Sequence, residues 1–276
     1  MIKGIYTAAS GMMLQMARQD VVANNIANVN TGGYKKDTTL CRAFPEMLIS
    51  RLGETTSDER GREKSISPVV IGKLGTGAVV DRIVTDYSTG NVKKTDNPTD
   101  LAIGNTGNYN IVTPNGEQQT TNEGSLFFVV RTPDGQERFT KDGAFKIGSQ
   151  GLLTTNQGYQ VLGIDNNPIT IDGDFKVDEH GQVVVNDEVV ATLKVAHFGD
   201  LTTLEKTGGT WRSNQPYNLV NNPQILQGYT EESNVNAVKE MVDLITITRA
   251  YESLQKVIEG EDETVQVAID EVGSVK

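Results

Sequence analysis

The N-terminal segment changes from a helical pattern to a turn pattern within Ala23-Asn24-Asn25-Ile26-Ala27-Asn28-Val29-Asn30-Thr31-Gly32-Gly33-Tyr34-Lys35. Before and into this stretch, apolar residues recur at spacings of three, four or seven, at Ile5, Ala9, Met12, Met16, Ala23 and Ile26. This spacing is typical of an amphipathic helix with a heptad-like stripe. Thr31-Gly32-Gly33 ends the pattern. We therefore predict a helix from about residue 7 to residue 28, followed by a turn that Tyr34 anchors.

Three asparagines lie on adjacent faces near the end of this predicted helix. The amides of Asn24, Asn25 and Asn28 offer donors and acceptors in a fixed plane. At a contact between helices such groups fix the register in a way that leucine does not. Helix capping explains Asn28 to Gly33 equally well, so both roles stay open there, but capping does not explain Asn24 and Asn25 one turn earlier.

The other end of the chain carries a second heptad-like segment. Ser233-Asn234-Val235-Asn236 provides polar residues of the kind that begin helices. Apolar residues then recur at three, four or seven, at Ala237, Met241, Leu244, Tyr251, Leu254, Ile258, Val265, Ala268 and Val272. We predict one long helix over 236–272, in which Gly260 is a weak point.

Between these helices the sequence predicts an all-β module, from about Val79 to Leu204. Its turn signals are Asn115-Gly116, Asp134-Gly135, Asp142-Gly143 and Asp172-Gly173. Its strand-like runs are 126–131, 151–155, 168–171, 182–185 and 192–196, which favour meanders or hairpins. Residues 51–64, within the segment 44–78, are charged and lack aromatic residues, which is typical of a linker or an extended arm.

Charge separates the two ends of the chain. The 276 residues have a formal net charge of −11, and an acidic chain is a poor general binder of nucleic acid. Residues 1–43 carry an excess of basic residues, whereas residues 231–276 carry a large excess of acidic ones. Opposite charges favour packing of one helix on the other over self-pairing of either. Two arrangements stay open: an ordinary helical hairpin packed on a β domain, and helices that pair with those of other copies.

The sequence contains little evidence for a catalytic site or a metal site. His180 and His197 both fall in the β zone, and no nucleophile-elbow motif accompanies them. Cys41 is the sole cysteine, which excludes an intrachain disulfide framework and a cysteine-rich zinc site. The acidic clusters 165–167 and 172–174 lack the spacing of a calcium loop, and turn chemistry explains them better. We expect no catalytic residue, cofactor or metal, and no small-molecule substrate or nucleic-acid partner.

No targeting segment is apparent. The first residues lack the pattern of a cleavable secretory signal, and no run approaches 18 consecutive apolar residues. By these tests the protein is cytosolic unless another export route carries it.

Three sets of motifs resemble those of bacterial flagellar rod and hook proteins. The stretch 23–35 resembles the N-terminal signature of the family, and 233–242 with Arg249-Ala250-Tyr251-Glu252 resembles its C-terminal signature. Thr95-Asp96-Asn97-Pro98-Thr99-Asp100-Leu101-Ala102-Ile103 resembles the entry into its β domain. Three further stretches resemble the strands and turns inside that domain, namely Phe127-Phe128-Val129-Val130, Thr132-Pro133-Asp134-Gly135 and Phe139-Thr140-Lys141-Asp142-Gly143. Thr106 to Gly124 departs from the family pattern, and Asn115-Gly116 predicts an extra hairpin there.

The resemblance implies a structural subunit of the flagellar basal-body rod. Such proteins polymerise into the hollow drive shaft that joins the motor to the hook, and the flagellum's own type III export apparatus carries them without a cleavable signal. The implied fold class is α+β, with both terminal helices forming a coiled-coil-like inner domain and a central all-β outer domain. The expected division is 1–43, 44–78, 79–230 and 231–276, namely helix with signature, arm, outer domain and C-terminal helix. The terminal segments are expected to fold on assembly.

The implied partners are other copies of the chain, other rod and hook proteins, and the export apparatus, at the basal body in the cell envelope. A proximal or a distal rod position, and a hook-type subunit, all stay open. A monomeric β-domain adhesin or binding module is the alternative from another class. The expected assembly interface comprises Met12, Met16, Asn24, Asn25, Ile26, Asn28, Thr31, Gly33, Tyr34, Asn234, Asn236, Met241, Leu244, Ile245, Tyr251 and Leu254.

Overall fold

The computed structural model describes residues 2–51, 55–57, 63–65, 69–104, 109–121, 124–148 and 150–273. The chain divides into two compact units. Unit 1 comprises Met1–Asn24, Asp37–Val84 and Val238–Lys276, and unit 2 comprises Asn25–Lys36 and Thr85–Ala237.

The helices are α1 (Ile2–Ala27) and α2 (Ala237–Gly273), with a short 3-10 helix at Leu201–Thr203. The strands of unit 1 are β1 (Asp37–Ala43), β2 (Met47–Arg51), β3 (Thr55–Ser57), β4 (Glu63–Ser65), β5 (Val69–Leu74) and β6 (Ala78–Thr85). The strands of unit 2 are β7 (Val92–Lys94), β8 (Leu101–Ile103), β9 (Tyr109–Val112), β10 (Gln118–Thr121), β11 (Ser125–Arg131), β12 (Glu137–Thr140), β13 (Lys146–Ile147), β14 (Leu153–Thr154), β15 (Gln160–Val161), β16 (Phe175–Val177), β17 (Gln182–Val185), β18 (Glu188–Thr192), β19 (Val195–Phe198), β20 (Leu204–Thr207), β21 (Thr210–Ser213), β22 (Asn218–Asn221), β23 (Ile225–Gln227) and β24 (Tyr229–Glu231).

In unit 1 the two helices touch at glycines of α1. A Cβ on Gly11 would lie 3.0 Å from Leu254 Cδ1, and one on Gly4 would lie 2.8 Å from Glu261 Oε1. Because the residue number rises along α1 as it falls along α2, the helices run antiparallel. The predicted α+β organisation, with a helix at each end and a mostly β centre, is confirmed.

The buried side of α2 follows a regular heptad pattern. Its buried or half-buried positions at alternating spacings of three and four are Ala237, Glu240, Leu244, Ile247, Tyr251, Leu254, Ile258, Glu261, Val265 and Ala268. Glu240 takes the buried position of this side and Met241 next to it is exposed, so the expected place of Met241 at an assembly interface stays a prediction. Met16 and Ala23 are likewise exposed on α1, where Ala8 and Val21 are buried instead. The helix continues through Gly260 without a break.

The remaining chain of unit 1 forms antiparallel strand pairs. β1 pairs with β6, β2 with β5, and β3 with β4. The stretch expected to be an arm therefore contains paired strands where it is described. Of the charged residues 51–64, those at 52–54 and 58–62 lie outside the described residues.

Unit 2 is built around β11, whose residues alternate between two cores. Leu126, Phe128 and Val130 belong to one apolar cluster, with Phe145, Leu153 and Leu193 among its members. Phe127 and Val129 belong to the other, together with Trp211 and Phe198. Since successive side chains of a strand point to opposite faces, β11 is covered on both sides, which explains its uninterrupted apolar run.

The large sheet of unit 2 mixes hairpins with long-range pairings. Its order is β10-β9-β22-β19-β11-β12-β21-β20, with β13, β14 and β15 attached beside β11. A second sheet has the order β16-β17-β18, and β23 pairs with β8 and β24 with β7. The simple meander predicted from the sequence was therefore wrong in part, since β22 from late in the chain lies between β9 and β19.

The turn predictions had mixed outcomes. Asn115-Gly116 connects β9 to β10, so the extra hairpin is confirmed, although residues 106–108 and 122–123 lie outside the described residues. Asp134-Gly135 connects β11 to β12 as predicted. Asp142-Gly143 and Asp172-Gly173 do not form hairpins, because β16 pairs onward with β17 and Gly143 packs against the backbone of Leu101. Residues 168–171 form isolated bridges only.

Candidate assembly site

The segment between α1 and β1 is tied into unit 2 by a series of turns. The Thr31 N–H donates to the Asn28 carbonyl (3.1 Å), and the Tyr34 N–H donates to the Thr31 carbonyl (3.3 Å). The Tyr34 hydroxyl lies 3.3 Å from Asn25 Oδ1, to which it donates. Asn25 is buried, so its amide holds the signature turn back against the end of α1.

Gly33 occupies a position that admits no side chain. Its φ is +64°, and a Cβ there would lie 2.4 Å from the carbonyl carbon of Lys141. Its N–H donates to the Glu231 carbonyl at 2.8 Å. A glycine is required both by the left-handed backbone and by the approach of the β12 end.

A fully buried ion pair fixes the end of the signature. Lys35 is 0% exposed, and its Nζ lies 2.6 Å from Glu231 Oε1. Lys35 Nζ also donates to the Ser88 carbonyl (2.6 Å), and the Gly90 N–H donates to Glu231 Oε1 (2.9 Å). Because a buried charge is costly unless it is paired and hydrogen-bonded, these groups depend on one another.

Asn234, in the C-terminal signature, bridges two other segments of unit 2. Its Oδ1 accepts from the Lys36 N–H (2.8 Å), and its Nδ2 donates to the Asp86 carbonyl (2.9 Å) and to Ser88 Oγ (3.0 Å). The Asp86 N–H donates in turn to the Lys36 carbonyl (2.8 Å). One amide thus joins the N-terminal signature, the segment before β7 and the entry into α2.

Two further lysines complete this signature junction, which we define as residues 25–36 with 86–90, 141, 206 and 231–234. Lys206 Nζ lies 3.8 Å from the centre of the Tyr34 ring and donates to the Lys35 carbonyl (3.0 Å). Burial lowers the pKa of Lys141 to about 8; Glu231 opposes this change and Lys35 adds to it. The junction is therefore densely charged, and Lys35, Lys141 and Glu231 within it are removed from water.

The residues expected at an assembly interface differ in their contacts and in their exposure. Asn25, Gly33, Tyr34 and Asn234 form contacts within unit 2, and Ile26, Asn28 and Thr31 belong to the same turn. Leu244, Tyr251 and Leu254 lie on the half-buried side of α2, and Met12 is half-buried on α1. The exposed members of the expected set are Met16, Asn24, Thr31, Asn236, Met241 and Ile245.

Both helices expose a second apolar stripe beside their buried side. On α2 this stripe consists of Val238, Met241, Val242 and Ile245, of which Val238 is 72% exposed. On α1 it consists of Tyr6, Met13 and Met16, of which Met13 is 72% exposed. Sequence reasoning missed Tyr6, Val238 and Val242, although their spacing of three, four and seven residues from other members was visible.

The β2–β5 ribbon adds apolar surface to unit 1. Leu48 and Ile71 are each about two-thirds exposed, and Met47, Ile49 and Val70 are also exposed. Contiguous exposed apolar surface marks sites of interaction between proteins. Unit 1 therefore exposes apolar surface of the kind that is typical of association between proteins.

His197 and the turn at 165–167 make contacts that stabilise the fold of unit 2. His197 is buried in β19, with its ring centre 6.0 Å from that of Tyr109. Asn166 adopts a φ of 60° in a turn, and its carbonyl accepts from Arg131 at 2.9 Å. Among the described residues, no group of three or more His, Cys, Asp or Glu side chains gathers as a metal ion would require. Within that same part of the chain, neither helix is apolar over a length sufficient to span a membrane.

Three family models match successive parts of the chain. Residues 5–35 match "Flagella basal body rod protein", residues 121–185 match "Flagellar hook protein FlgE/F/G D1 domain", and residues 226–271 match "Flagellar basal body rod FlgEFG protein C-terminal". These ranges contain the signature junction residues 25–35, strand β11 and most of α2. The motif at 95–103 lies outside them.

Curated relatives match over almost the whole chain. The flagellar hook-basal body complex protein FlhO of Bacillus subtilis is 34% identical over 100% of both chains. The flagellar basal-body rod protein FlgF of Caulobacter vibrioides is 31% identical over 100% of both chains. FlgG, the flagellar basal-body rod protein, of Buchnera aphidicola subsp. Schizaphis graminum is 31% identical over 96% of this chain and 98% of its own. This chain therefore belongs to the family of flagellar basal-body rod and hook proteins, as a structural rod subunit.

Proposed function

We propose that this chain polymerises with copies of itself and with other rod and hook proteins into a hollow shaft that transmits motor torque to the hook. The observation that supports this most directly is the second apolar stripe on each helix. Stripes that face water in one copy have a use when they meet the stripes of neighbouring copies.

The stripes suit an open assembly. A tube requires contacts between different patches that repeat without closing on themselves. The stripe on α1 is rich in methionine and that on α2 in β-branched residues, so each offers a different surface. Complete burial of one such side chain contributes about 1.5–3 kcal/mol, and several per subunit would support a lattice.

Within this proposal the helices form the inner part of the shaft and the β-rich centre faces outward. The heptad side of α2 and its antiparallel contact with α1 support coiled-coil packing of the terminal helices. The expected ranges 1–43, 44–78, 79–230 and 231–276 stand as the proposed division of roles. Binding and mechanical support, rather than catalysis, are the proposed activity.

We further propose that the chain reaches the rod through the flagellar type III export apparatus, without a cleavable signal. The signature junction is then a structure that forms after export, because its partners come from residues about 200 positions apart. Within this proposal a proximal rod position comes first, and a distal position is its alternative.

Sedimentation of the purified chain across a range of concentrations tests the proposal. We expect large species to grow with concentration in the natural chain, and to be lost in an Ile245→Glu variant, which places a charge in the α2 stripe. Ser253→Glu is the matched control, because it adds the same charge at an exposed polar position of α2. A chain that stays monomeric at every concentration, including in the presence of isolated basal bodies as templates, would favour the adhesin-like alternative.

A further inference from the structure

A buried lysine faces a cavity in unit 2 without an acceptor of its own. Lys141 follows β12, is 7% exposed and lines a cavity of about 210 Å³. Its ammonium lies 5.3 Å from the centre of the Phe127 ring. Within the part of the chain that the structure describes, no oxygen accepts a hydrogen bond from it. An amine so placed either stays neutral or requires an anion from outside.

Glu231, the carboxylate that lines the same cavity, is already shared by other groups. Glu231 Oε1 accepts from Lys35 Nζ (2.6 Å) and from the Gly90 N–H (2.9 Å). When both lysines are protonated, the group of Lys35, Lys141 and Glu231 therefore carries one positive charge in excess. That excess is at Lys141, on the cavity wall.

The other residues that line the cavity indicate which class of ligand fits it. The cavity is also lined by the hydroxyl-bearing residues Tyr109 and Ser125, both buried, and by the apolar residues Ile103 and Leu126. One lysine and several hydroxyl-bearing side chains, since Tyr87, Ser88 and Thr89 also line the cavity, match a singly charged group with oxygen acceptors. A doubly charged phosphate fits less well, because Glu231 lines the same cavity and would repel its second charge.

We propose that this cavity binds one carboxylate group, with Lys141 as its counter-ion and Ser125 and Tyr109 beside it. A short free carboxylic acid and an aspartate or glutamate side chain of another copy present the same chemistry to these groups. The proposal does not depend on the rod function, since the first source requires only the isolated chain.

The titration of Lys141 provides the readout. Burial lowers the pKa of this amine to about 8, which separates it from exposed lysines near 10.4. The charged groups that act on its pKa from other elements are Glu231, which raises it, and Lys35, which lowers it. A carboxylate that binds only the protonated amine raises its pKa, by about one pH unit when present at ten times its dissociation constant.

The experiment follows the lysine side-chain NMR signals of the full-length chain during pH titration. The Lys141 signal is identified by its low midpoint and by its absence in a Lys141→Met variant, so the measurement does not rely on that variant folding fully. Sodium acetate is compared with sodium chloride at equal ionic strength, with the dilute monomer and again with concentrated, acetate-free protein. Lys176, exposed on β16, is the internal control.

Two outcomes support the proposal and distinguish the sources. A saturable rise of the Lys141 midpoint in acetate but not in chloride, with Lys176 unchanged, identifies a site for a small free acid. A rise in concentrated protein alone, without acetate, identifies a carboxylate of another copy. A midpoint that stays near 8 in both arms, or that moves equally in acetate and chloride, would overturn the proposal.

Discussion

The Lys35–Glu231 pair concentrates the energetics of the signature junction in two side chains. The Lys35 ammonium and the Glu231 carboxylate are both removed from water, and each balances the charge of the other. Such pairs contribute little net stability as a pair, but removing one partner leaves an uncompensated buried charge. The two signature regions of the chain are coupled in this way across 196 positions.

Glu231→Gln tests this coupling. We expect a loss of about 3–5 kcal/mol in the free energy of unfolding, because the buried Lys35 loses its counter-ion. Glu232→Gln is the control: its partner Lys93 lies 3.7 Å away and both side chains are well exposed, so its loss should stay under about 1 kcal/mol. Urea unfolding followed by the fluorescence of Trp211, the sole tryptophan and buried in unit 2, measures both. Equal losses in the two variants would contradict the coupling.

The pKa of Lys141 predicts how stability depends on pH. The folded-state pKa of about 8 lies below the ordinary value of 10.5, so between these values the unfolded chain binds a proton that the folded chain lacks. The free energy of unfolding should therefore rise with pH above about 8, by about 2–3 kcal/mol up to pH 10. Above pH 10 the trend should weaken, because burial raises the pKa of Tyr109 and Tyr217 and the folded chain then holds protons longer.

Unfolding curves between pH 7 and pH 10 measure this dependence. The solutions contain sodium chloride and buffers without carboxylate groups, since a carboxylate would add a ligand. Lys141→Met should remove the rise, whereas Lys176→Met, at an exposed site, should keep it. A rise of the same size in Lys141→Met would assign the pH dependence to another group.

At the residue scale the motifs singled out Gly33, Tyr34 and Asn234, and the structure engages all three in contacts within unit 2. Their role at an assembly interface stays a prediction. Lys35 and Lys141 stood inside the quoted motifs, and a basic residue in an otherwise apolar or turn-forming stretch was the available signal. Glu231 carried no such signal, because a pairing between distant positions depends on tertiary structure.

At the scale of elements, the helices were the most predictable parts. The heptad spacing located α2 to within a residue at each end, since a stripe over nine turns leaves few alternatives. The rotation of the stripe was less predictable: Glu240 takes the buried position that hydrophobicity alone assigns to Met241, and Glu261 is half-buried at a stripe position without an apolar neighbour. The short strands beyond β11 were harder, because β22 and β19 pair over distances that local patterns do not encode.

Two glycines provide a matched test of the helix pair. Gly11 faces Leu254 at close range, whereas a Cβ on Gly260 would meet nothing within 4 Å. Gly260→Ala should raise helix stability by about 0.5–1 kcal/mol, because alanine is the better helix former. Gly11→Leu gains the same kind of propensity but should lower stability, because its side chain must displace Leu254.

Thermal unfolding followed by circular dichroism at 222 nm separates these effects. The predicted order of midpoints is Gly260→Ala above the natural chain, and Gly11→Leu below it. A Gly11→Leu variant that melts above the natural chain would show that the helices do not pack at this position.

At the scale of the whole molecule, the two units divide the chemistry. Unit 2 contains both apolar cores and the buried charges of the signature junction, whereas unit 1 carries exposed stripes on α1 and α2 and the apolar β2–β5 ribbon. A polymerising subunit requires this division, with a stable core in one unit and apolar surface for association in the other. This organisation followed from the periodicity of the two ends, while the identity of the family came from the motifs.

The most direct test of assembly through the helix stripes is the amount of this chain in basal bodies isolated from a deletion strain that expresses a variant from a plasmid. We expect Ile245→Glu to be produced, to give the Trp211 fluorescence of the natural chain and to be absent from the basal bodies, while Ser253→Glu is incorporated and restores swimming. Ile245→Glu in natural amounts in the basal bodies of swimming cells would show that assembly does not use the α2 stripe.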